Sequence, residues 1–544
     1  MANATKSDDR LLKAFRNPAL FDHPVQSTKV IETIISWVLL TGEYAYKIKK
    51  PVDLKFLDFS TLEKRRFFCH EELRLNHRLA PRLYLEVIAI TGSPEQPRLG
   101  GEGRAIEYAV KMKQFPDEAL LAHLAEQDRL TPEQIDRLAE TIAAFHFRID
   151  AATADDSHGL PEEVQATVDN NFRKVFDVLQ DLTPSQDLTP SVSTIEATRD
   201  WCRSEFDRCR RMMQQRKADG FIRECHGDLH LDNIVLLDGR PTPFDCIEFN
   251  EAFRWIDVIS EIAFVLMDLE AKRRRSLAWR LLNHYLVITG DYAGLRLLRY
   301  YLVYRAMVRA TVTLIKLAQT APSQQGDSPL TNRFQRYIEL AHADTQAARS
   351  NAPLLIITHG FSGSSKSVLA GRLGERLGAI RLRSDIERKR LAGYGPQART
   401  GSRLQGGLYR REMSEVTYRH LCVMAGQLLD ERLPVIIDAA FLKQEERSAC
   451  RQLARRHGAA FVILDVQAPV AILRERIVKR QQERTDPSEA SIKVLEYQID
   501  NHDPLETSEQ GNTIQIDTDR NRSADAMVEA IEQRLHAMYN EHSP

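Results

Sequence analysis

Residues 354–367 constrain the fold of this chain more than any other stretch. Leu354-Leu-Ile-Ile-Thr-His-Gly-Phe-Ser-Gly-Ser-Ser-Lys-Ser367 runs from an apolar strand pattern into glycines and hydroxyls, and then into helical spacing. Strand, Gly-rich loop and helix in that order open a unit in which strands and helices alternate, as the later apolar runs Pro434–Ile437 and Ala460–Val466 do. Alternation of this kind implies an α/β domain with a parallel, doubly wound sheet. The loop places backbone N–H groups at a helix N-terminus, where they hold phosphate. The template G-x-x-x-x-G-K-[S/T] adds a lysine for the β/γ-phosphates and a hydroxyl for magnesium. Gly360, Lys366 and Ser367 meet it, Gly363 and Ser364 lie inside the loop, and Ser365 stands where the template has its second glycine. A side chain at that place either tightens the cradle or spoils it.

The 544 residues suggest two to four domains at roughly 100–200 residues each. Lys+Arg number 75 against 76 Asp+Glu, which excludes a chain-wide basic surface built for nucleic acid or an anionic membrane. No apolar run approaches the roughly 18–20 residues of a membrane span. Met1–Phe15 is polar and charged, without the apolar stretch of a secretion signal, and the seven scattered cysteines contain no C-x-x-C. Reduced thiols in a cytoplasmic protein are expected, with neither a disulfide framework nor a zinc site. Thr320-Ala-Pro-Ser-Gln-Gln-Gly-Asp-Ser-Pro329 punctuates the chain. It sets the expected domains at 1–320 and 353–544, joined by a linker over 321–352 that includes a helical stretch, Arg333–Arg349. The duplicated hexapeptide Gln180–Ser185 and Gln186–Ser191 reads as an exposed loop tolerant of insertion. In the first half, strand patterns come early (Ser36–Leu40, Tyr44–Ile48, Tyr84–Ile90, Ile106–Met112) and helical ones dominate from Leu138, which implies an α+β bilobal unit.

His226-Gly-Asp-Leu-His-Leu-Asp-Asn233 carries the chemistry of that first half. Phosphoryl transfer from ATP needs the acceptor hydroxyl held in line, its proton accepted, and charge neutralised by metal. Asp228 supplies a carboxylate for the hydroxyl, Asn233 an amide oxygen for magnesium, and Asp245, in Phe244-Asp-Cys-Ile-Glu248, a second metal carboxylate. The segment resembles the aminoglycoside phosphotransferase family, whose bilobal fold is related to protein kinases and whose H-G-D-x-x-x-x-N pattern is complete here. The resemblance implies that Lys47, in Ala45-Tyr-Lys47, holds the ATP α/β-phosphates, with Glu72 or its neighbour Glu71 as its helical partner. It further implies that Tyr108–Phe115 is the adenine hinge, and that the helix with Phe145-His146 precedes the catalytic loop. His226 is expected to support the loop, and His230 and Asp232 to face solvent or substrate. The family's nucleotide-covering loop is missing its glycine, since Val30–Trp37 contains none.

Downstream of the phosphate loop, Arg383-Ser-Asp385-Ile-Glu-Arg388 resembles the S-D-x-x-R segment of small P-loop kinases such as gluconate kinase, polynucleotide kinase and zeta-toxin-like enzymes. That resemblance implies that Asp385 faces an acceptor hydroxyl, the alternative being a helix N-cap. Asp438, ending Val435-Ile-Ile-Asp438, would be the metal-side carboxylate with Ser367. Arg474, Arg476, Arg480 and Arg484 resemble the arginine-bearing lid of those kinases, which implies that they stand over the transferred phosphoryl group, the alternative being a solvated helix face. Nine Lys/Arg lie between Arg381 and Arg411 against two acids, which suits a phosphorylated acceptor or an ordinary exposed surface.

The whole-chain order resembles bacterial proteins described as fused aminoglycoside phosphotransferase-like and P-loop ATP-binding proteins. An ATP- and magnesium-dependent phosphotransferase with a small hydroxyl-bearing substrate is expected. Two other readings stay open: a single working kinase whose other module senses nucleotide or is a pseudokinase, and a polynucleotide or nucleotide-sugar kinase. Oligomeric state is not legible.

Overall fold

The structure is a computed structural model that describes residues 6–54, 57–182, 189–320, 328–350, 353–396, 398, 410–483, 490–518 and 523–540. Its first sheet contains β1 (Lys29–Glu32), β2 (Ser36–Leu40), β3 (Tyr44–Lys49), β4 (Tyr84–Ser93), β5 (Gln96–Leu99) and β6 (Ala105–Lys113), in the order β1-β2-β3-β6-β4-β5. All neighbours are antiparallel. The β2–β3 turn is fastened by Gln114, whose side-chain oxygen accepts from the N–H groups of Thr41 and Gly42 at 3.1 and 2.8 Å. Between β3 and β4 runs the helix Leu62–His77, started by Thr61, whose hydroxyl accepts from the Lys64 N–H. The helix packs against β4 and β6, which turns its inner face towards the middle of the sheet.

The helix Pro132–Arg148 opens on a capping box of Thr131 and Gln134. Four short strands then frame a loop: β7 (Ile222–Glu224), β8 (Ile234–Leu237), β9 (Arg240–Pro243) and β10 (Trp255–Asp257). β7 pairs with β10, and β8 with β9, both antiparallel. The chain between β7 and β8 is the His226–Asn233 loop, and Asp245 follows β9 by two residues.

The second sheet holds β11 (Leu354–His359), β12 (Ile380–Arg383), β13 (Val435–Asp438), β14 (Ala460–Gln467) and β15 (Thr513–Asp517) in the order β12-β13-β11-β14-β15. Every pair is parallel. The strand order reverses at β11, so a crevice opens at its carboxyl end, where the phosphate loop lies. One core packs Leu354 and Ile356 of β11 against Leu369 and Leu373 of the helix Lys366–Leu377 and against Leu464 of β14.

The chain forms two compact units that interleave in sequence. One comprises Met1–Asp181, Arg203–Asp268 and Tyr304–Thr311; the other comprises Leu182–Cys202, Leu269–Val303 and Val312–Pro544. The 321–352 stretch contains the helix Pro329–Ser350, whose Phe334, Tyr337, Ile338 and Ala341 are buried. Among the described residues no helix is long and apolar enough to cross a membrane.

Candidate active sites

In the first unit, β3 points alternate side chains to one face, and Lys47 is on the face beneath the helix Leu62–His77. Its Nζ pairs with Glu72 Oε1 at 2.8 Å and donates to Asp245 Oδ1 at 2.5 Å. Burial alone would lower the Lys47 pKa, but Asp245 and then Glu72 outweigh it and hold the ammonium charged. Glu72, not Glu71, faces inward: Glu72 is buried, whereas Glu71 pairs with Arg74 and Arg254. Asp245 sits in the left-handed region at φ 65, rare for a residue with a side chain and typical of functional turns. Its N–H donates to the Tyr84 hydroxyl at 3.2 Å.

The His226–Asn233 loop is built around backbone ties. Gly227 adopts φ 89, and a Cβ there would meet the Phe253 carbonyl at 2.7 Å, so only glycine fits. Glu261 accepts the N–H groups of His226 and Gly227 at 2.6 and 3.0 Å. His226 lies 2.7 Å from the Phe244 carbonyl through Nε2, and its Nδ1 accepts from the Asp228 N–H at 3.3 Å. A carbonyl only accepts, so Nε2 carries the proton. Burial lowers His226 to about 4, and the ring is a neutral brace between the Asp228 and Asp245 segments.

Asn233 donates through Nδ2 to the Asp228 carbonyl at 3.0 Å and to its Oδ2 at 2.9 Å, which leaves the amide oxygen free to face a cation. His230 Nε2 lies 3.2 Å from the same Oδ2. Burial would push the Asp228 carboxyl up, yet His230 and then Arg309 hold it well below the usual carboxylate range. Of the two places expected for His230, solvent is ruled out: the ring is buried, its Nε2 lies 2.9 Å from Arg309, and Arg309 donates to Asp232 at 2.9 Å. The glycine-free Val30–Trp37 segment is a tight β1–β2 turn in which Lys50 donates to Glu32 and to the Thr33 carbonyl.

In the second unit, Gly360 (φ 134) and Gly363 (φ 88) pass so close to neighbouring backbone that a Cβ would meet the carbonyls of Val466 and Leu473 at 2.3 and 2.7 Å. Ser365 occupies the left-handed region at φ 69, ψ 18, the conformation for which the template uses glycine. An L-residue held there costs roughly 1–2 kcal/mol, so the serine strains the loop. Lys366 folds over the loop and donates to the Phe361 carbonyl at 2.7 Å. Burial lowers its pKa to about 8, with Asp438 and Asp385 pulling upward and Arg480 near enough to add to the lowering. Ser367 donates to Asp438 Oδ1 at 3.1 Å, while Arg381 donates to the other oxygen, Oδ2. Asp438 therefore has one oxygen turned to the Ser367 hydroxyl and one locked by a strand neighbour.

Asp385 lies in the first turn of the helix Ser384–Leu391, 3.6 Å from Arg388; the N-cap is Arg383, with no side-chain cap bond. Arg480 donates to the Ala490 carbonyl at 2.8 Å. Arg474 pairs with Glu496 at the surface, and Arg476 clamps the Gly363 carbonyl to Thr518. Arg484 lies outside the described residues. Gln498, not anticipated from sequence, accepts the Ser362 N–H of the loop at 2.8 Å. Lys49 and Glu248, equally unanticipated, stand behind Glu72. The period-two face of β3 could have revealed the lysine; nothing local marks Gln498 or Glu248.

A kinase-like fold carrying an H-G-D-x-x-x-x-N loop, followed by a parallel sheet with a phosphate loop, defines a phosphotransferase-class protein with two domains. The sequence profile of the phosphotransferase enzyme family matches residues 64–298, and that of an AAA domain matches residues 355–505. Uncharacterized proteins of Mycobacterium tuberculosis and Mycobacterium bovis are each 32% identical over 462 residues, 84% of this chain and 88% of theirs. The chain belongs to the family of these mycobacterial proteins, as a fusion of an aminoglycoside phosphotransferase-like domain with a P-loop kinase-like domain. Among solved structures, an amicoumacin kinase bound to AMP-PNP and Ca2+ is 12% identical, covering 63% of this chain and 95% of its own at a TM-score of 0.38. A Plasmodium vivax ethanolamine kinase is 12% identical over 63% of this chain and 95% of its own, TM-score 0.36. A gluconokinase from Sinorhizobium meliloti is 21% identical over 36% of this chain and 99% of its own, TM-score 0.25.

Proposed function

We propose that the protein is an ATP-dependent phosphotransferase with two nucleotide-binding modules, acting on a hydroxyl of a small molecule. The observation that carries the reading is the meeting of Lys47 with Asp245 at 2.5 Å across 198 residues of sequence. A lysine that reaches phosphates and a carboxylate that reaches their metal must converge in this way. The donor set fits magnesium: the Asn233 amide oxygen and a partly exposed Asp245 carboxylate are hard oxygen ligands. Bound there, the ion would neutralise charge on the transferred phosphoryl group.

Asp228 orients the acceptor hydroxyl. Because its carboxyl is held ionised, it is a weak base, suited to accept a hydrogen bond early and the proton late, as a loose transition state demands. Lys47 draws the ATP phosphates towards Asp245. In the second module, Gly360, Gly363, Ser364 and Ser365 would cradle phosphate, Lys366 and Ser367 would hold ATP and its metal beside Asp438, Asp385 would face an acceptor, and Arg480 would stand over the phosphoryl group.

One observation favours a second reading for that module alone. Arg381 holds Oδ2 of Asp438 and leaves only Oδ1, already engaged by the Ser367 hydroxyl, to face a metal, an arrangement that a nucleotide sensor tolerates better than a transferase. Incubating the full chain with labelled ATP and a panel of hydroxyl-bearing metabolites separates the cases. In a chain whose second module is silenced by Lys366→Ala, the remaining transfer should fall about a hundredfold or more on adding Asp228→Asn. Full transfer in that variant would end the assignment. Loss in Lys366→Ala marks a second active kinase, and undiminished transfer marks a sensor.

A further inference from the structure

Two lysines of β3 are buried behind one carboxylate. Lys49 leaves the strand on the same face as Lys47; it is 0% exposed, against 11% for the Lys47 side chain. Glu72 gives one oxygen to each, Oε1 pairing with Lys47 at 2.8 Å and Oε2 accepting from Lys49 at 2.7 Å. Lys49 also donates to Glu248, three residues beyond Asp245 and itself buried. Phosphoryl transfer of the kind proposed above uses one lysine and one helix carboxylate; this site has a further lysine and a further carboxylate attached. Stability is a poor account of them, since a wholly buried ion pair is often no better than apolar packing of the same volume.

We propose that Lys49 is a positioning residue that keeps Glu72 fixed while Lys47 passes between Asp245 and the nucleotide phosphates, an inference that rests on reading the first module as ATP-dependent. Lys47 here holds Asp245. To serve a magnesium nucleotide, Asp245 must turn an oxygen to the metal and Lys47 must turn to phosphate. Throughout that exchange Glu72 keeps Lys49 as a standing counter-ion, so its carboxylate neither swings nor takes up a proton. Without Lys49, a single ammonium faces Glu72, Glu248 and Asp245. Lys47 is then drawn inward, and the nucleotide loses it.

The test uses the full chain carrying Lys366→Ala, so that only the first module takes up nucleotide. Affinity for magnesium AMP-PNP is measured by calorimetry, unfolding temperature by circular dichroism, and KM for ATP by turnover, in Lys49→Met and in Lys49→Met/Glu248→Gln. Lys49→Met should weaken nucleotide binding about tenfold or more, raise KM more than it lowers kcat, and lower the unfolding temperature. Adding Glu248→Gln removes the stranded carboxylate and should restore the unfolding temperature while affinity stays about tenfold down. Recovery of affinity together with stability would show that Lys49 only neutralises Glu248, and the proposal fails; it fails equally if Lys49→Met binds as the parent does. A folded parent that takes up no nucleotide overturns the reading of the first module itself, a result separate from either of these.

Discussion

Ser365 is the residue at which the phosphate loop departs from its template, and its left-handed backbone says what the departure does. The loop holds Ser365 in a conformation that glycine adopts freely, at the expense of strain in that serine. Ser365→Gly should therefore raise stability by about 1 kcal/mol, read as a higher unfolding temperature, with nucleotide affinity retained. A drop in stability would mean that the serine side chain holds the loop. Lys366, next in sequence, has its own signature. Its pKa of about 8, lowered chiefly by burial, means that the free loop loses its ammonium as pH rises past that value. Bound phosphate raises the pKa again, so binding takes up a proton on the alkaline side. With Lys47→Ala silencing the first module, affinity should fall between about pH 7 and about pH 9, approaching tenfold per unit. Lys366→Arg should flatten the profile; an unaltered slope would place the titration elsewhere. The same depression makes the unfolded chain hold more protons between about 8 and 10.5, so this group adds stability as pH climbs through that window.

At the scale of elements, the helix Val470–Glu483 does more than edge the sheet. Arg476 reaches from it to the Gly363 carbonyl and to Thr518, tying the phosphate loop to the chain after β15. Arg476→Ala should lower nucleotide affinity of the second module about tenfold while far-ultraviolet circular dichroism shows the sheet intact. Unchanged affinity would mean that the glycines alone shape the loop. Sequence pattern had placed this arginine in a lid because basic residues on one helix look alike until their partners are known. What was legible follows the same division. The β2–β3 hairpin, the helix carrying Glu72, the parallel sheet and the loop containing Asp228 and Asn233 were readable, because local periodicity or a compact motif specifies each. The choice of Glu72 over Glu71, the burial of His230 beneath Arg309, the hold of Arg381 on Asp438 and the contact of Gln498 with Ser362 were not. Each depends on residues between 57 and 136 positions apart, or on which face of a helix turns inward.

At the scale of the whole molecule, punctuation and packing divide the chain differently. Composition changes at 320–329, but the unit that holds the parallel sheet also contains Leu269–Val303. The helix Arg275–Thr289 is tied into that unit through the sheet itself. Asn283 accepts the Arg381 N–H at 2.8 Å and donates to the Ala379 carbonyl at 2.9 Å, bracketing the start of β12. Arg280 donates to Glu375 at 2.7 Å, and Trp279 lies so close to Gly378 that a Cβ there would meet its ring at 2.9 Å. Backbone groups at Ala379 and Arg381 left without Asn283 lose about 1 kcal/mol each, and the apolar surface uncovered where this helix packs on the helix Lys366–Leu377 adds a few more. For a unit of this size such a sum corresponds to an unfolding temperature lower by about 10 °C. A fragment of residues 269–544 should thus unfold cooperatively and bind nucleotide, whereas one of residues 353–544 should melt about 10 °C lower or aggregate on heating. Equal unfolding temperatures for the two would mean that the β12 edge is completed without Asn283, and that the phosphate-loop domain ends where composition changes.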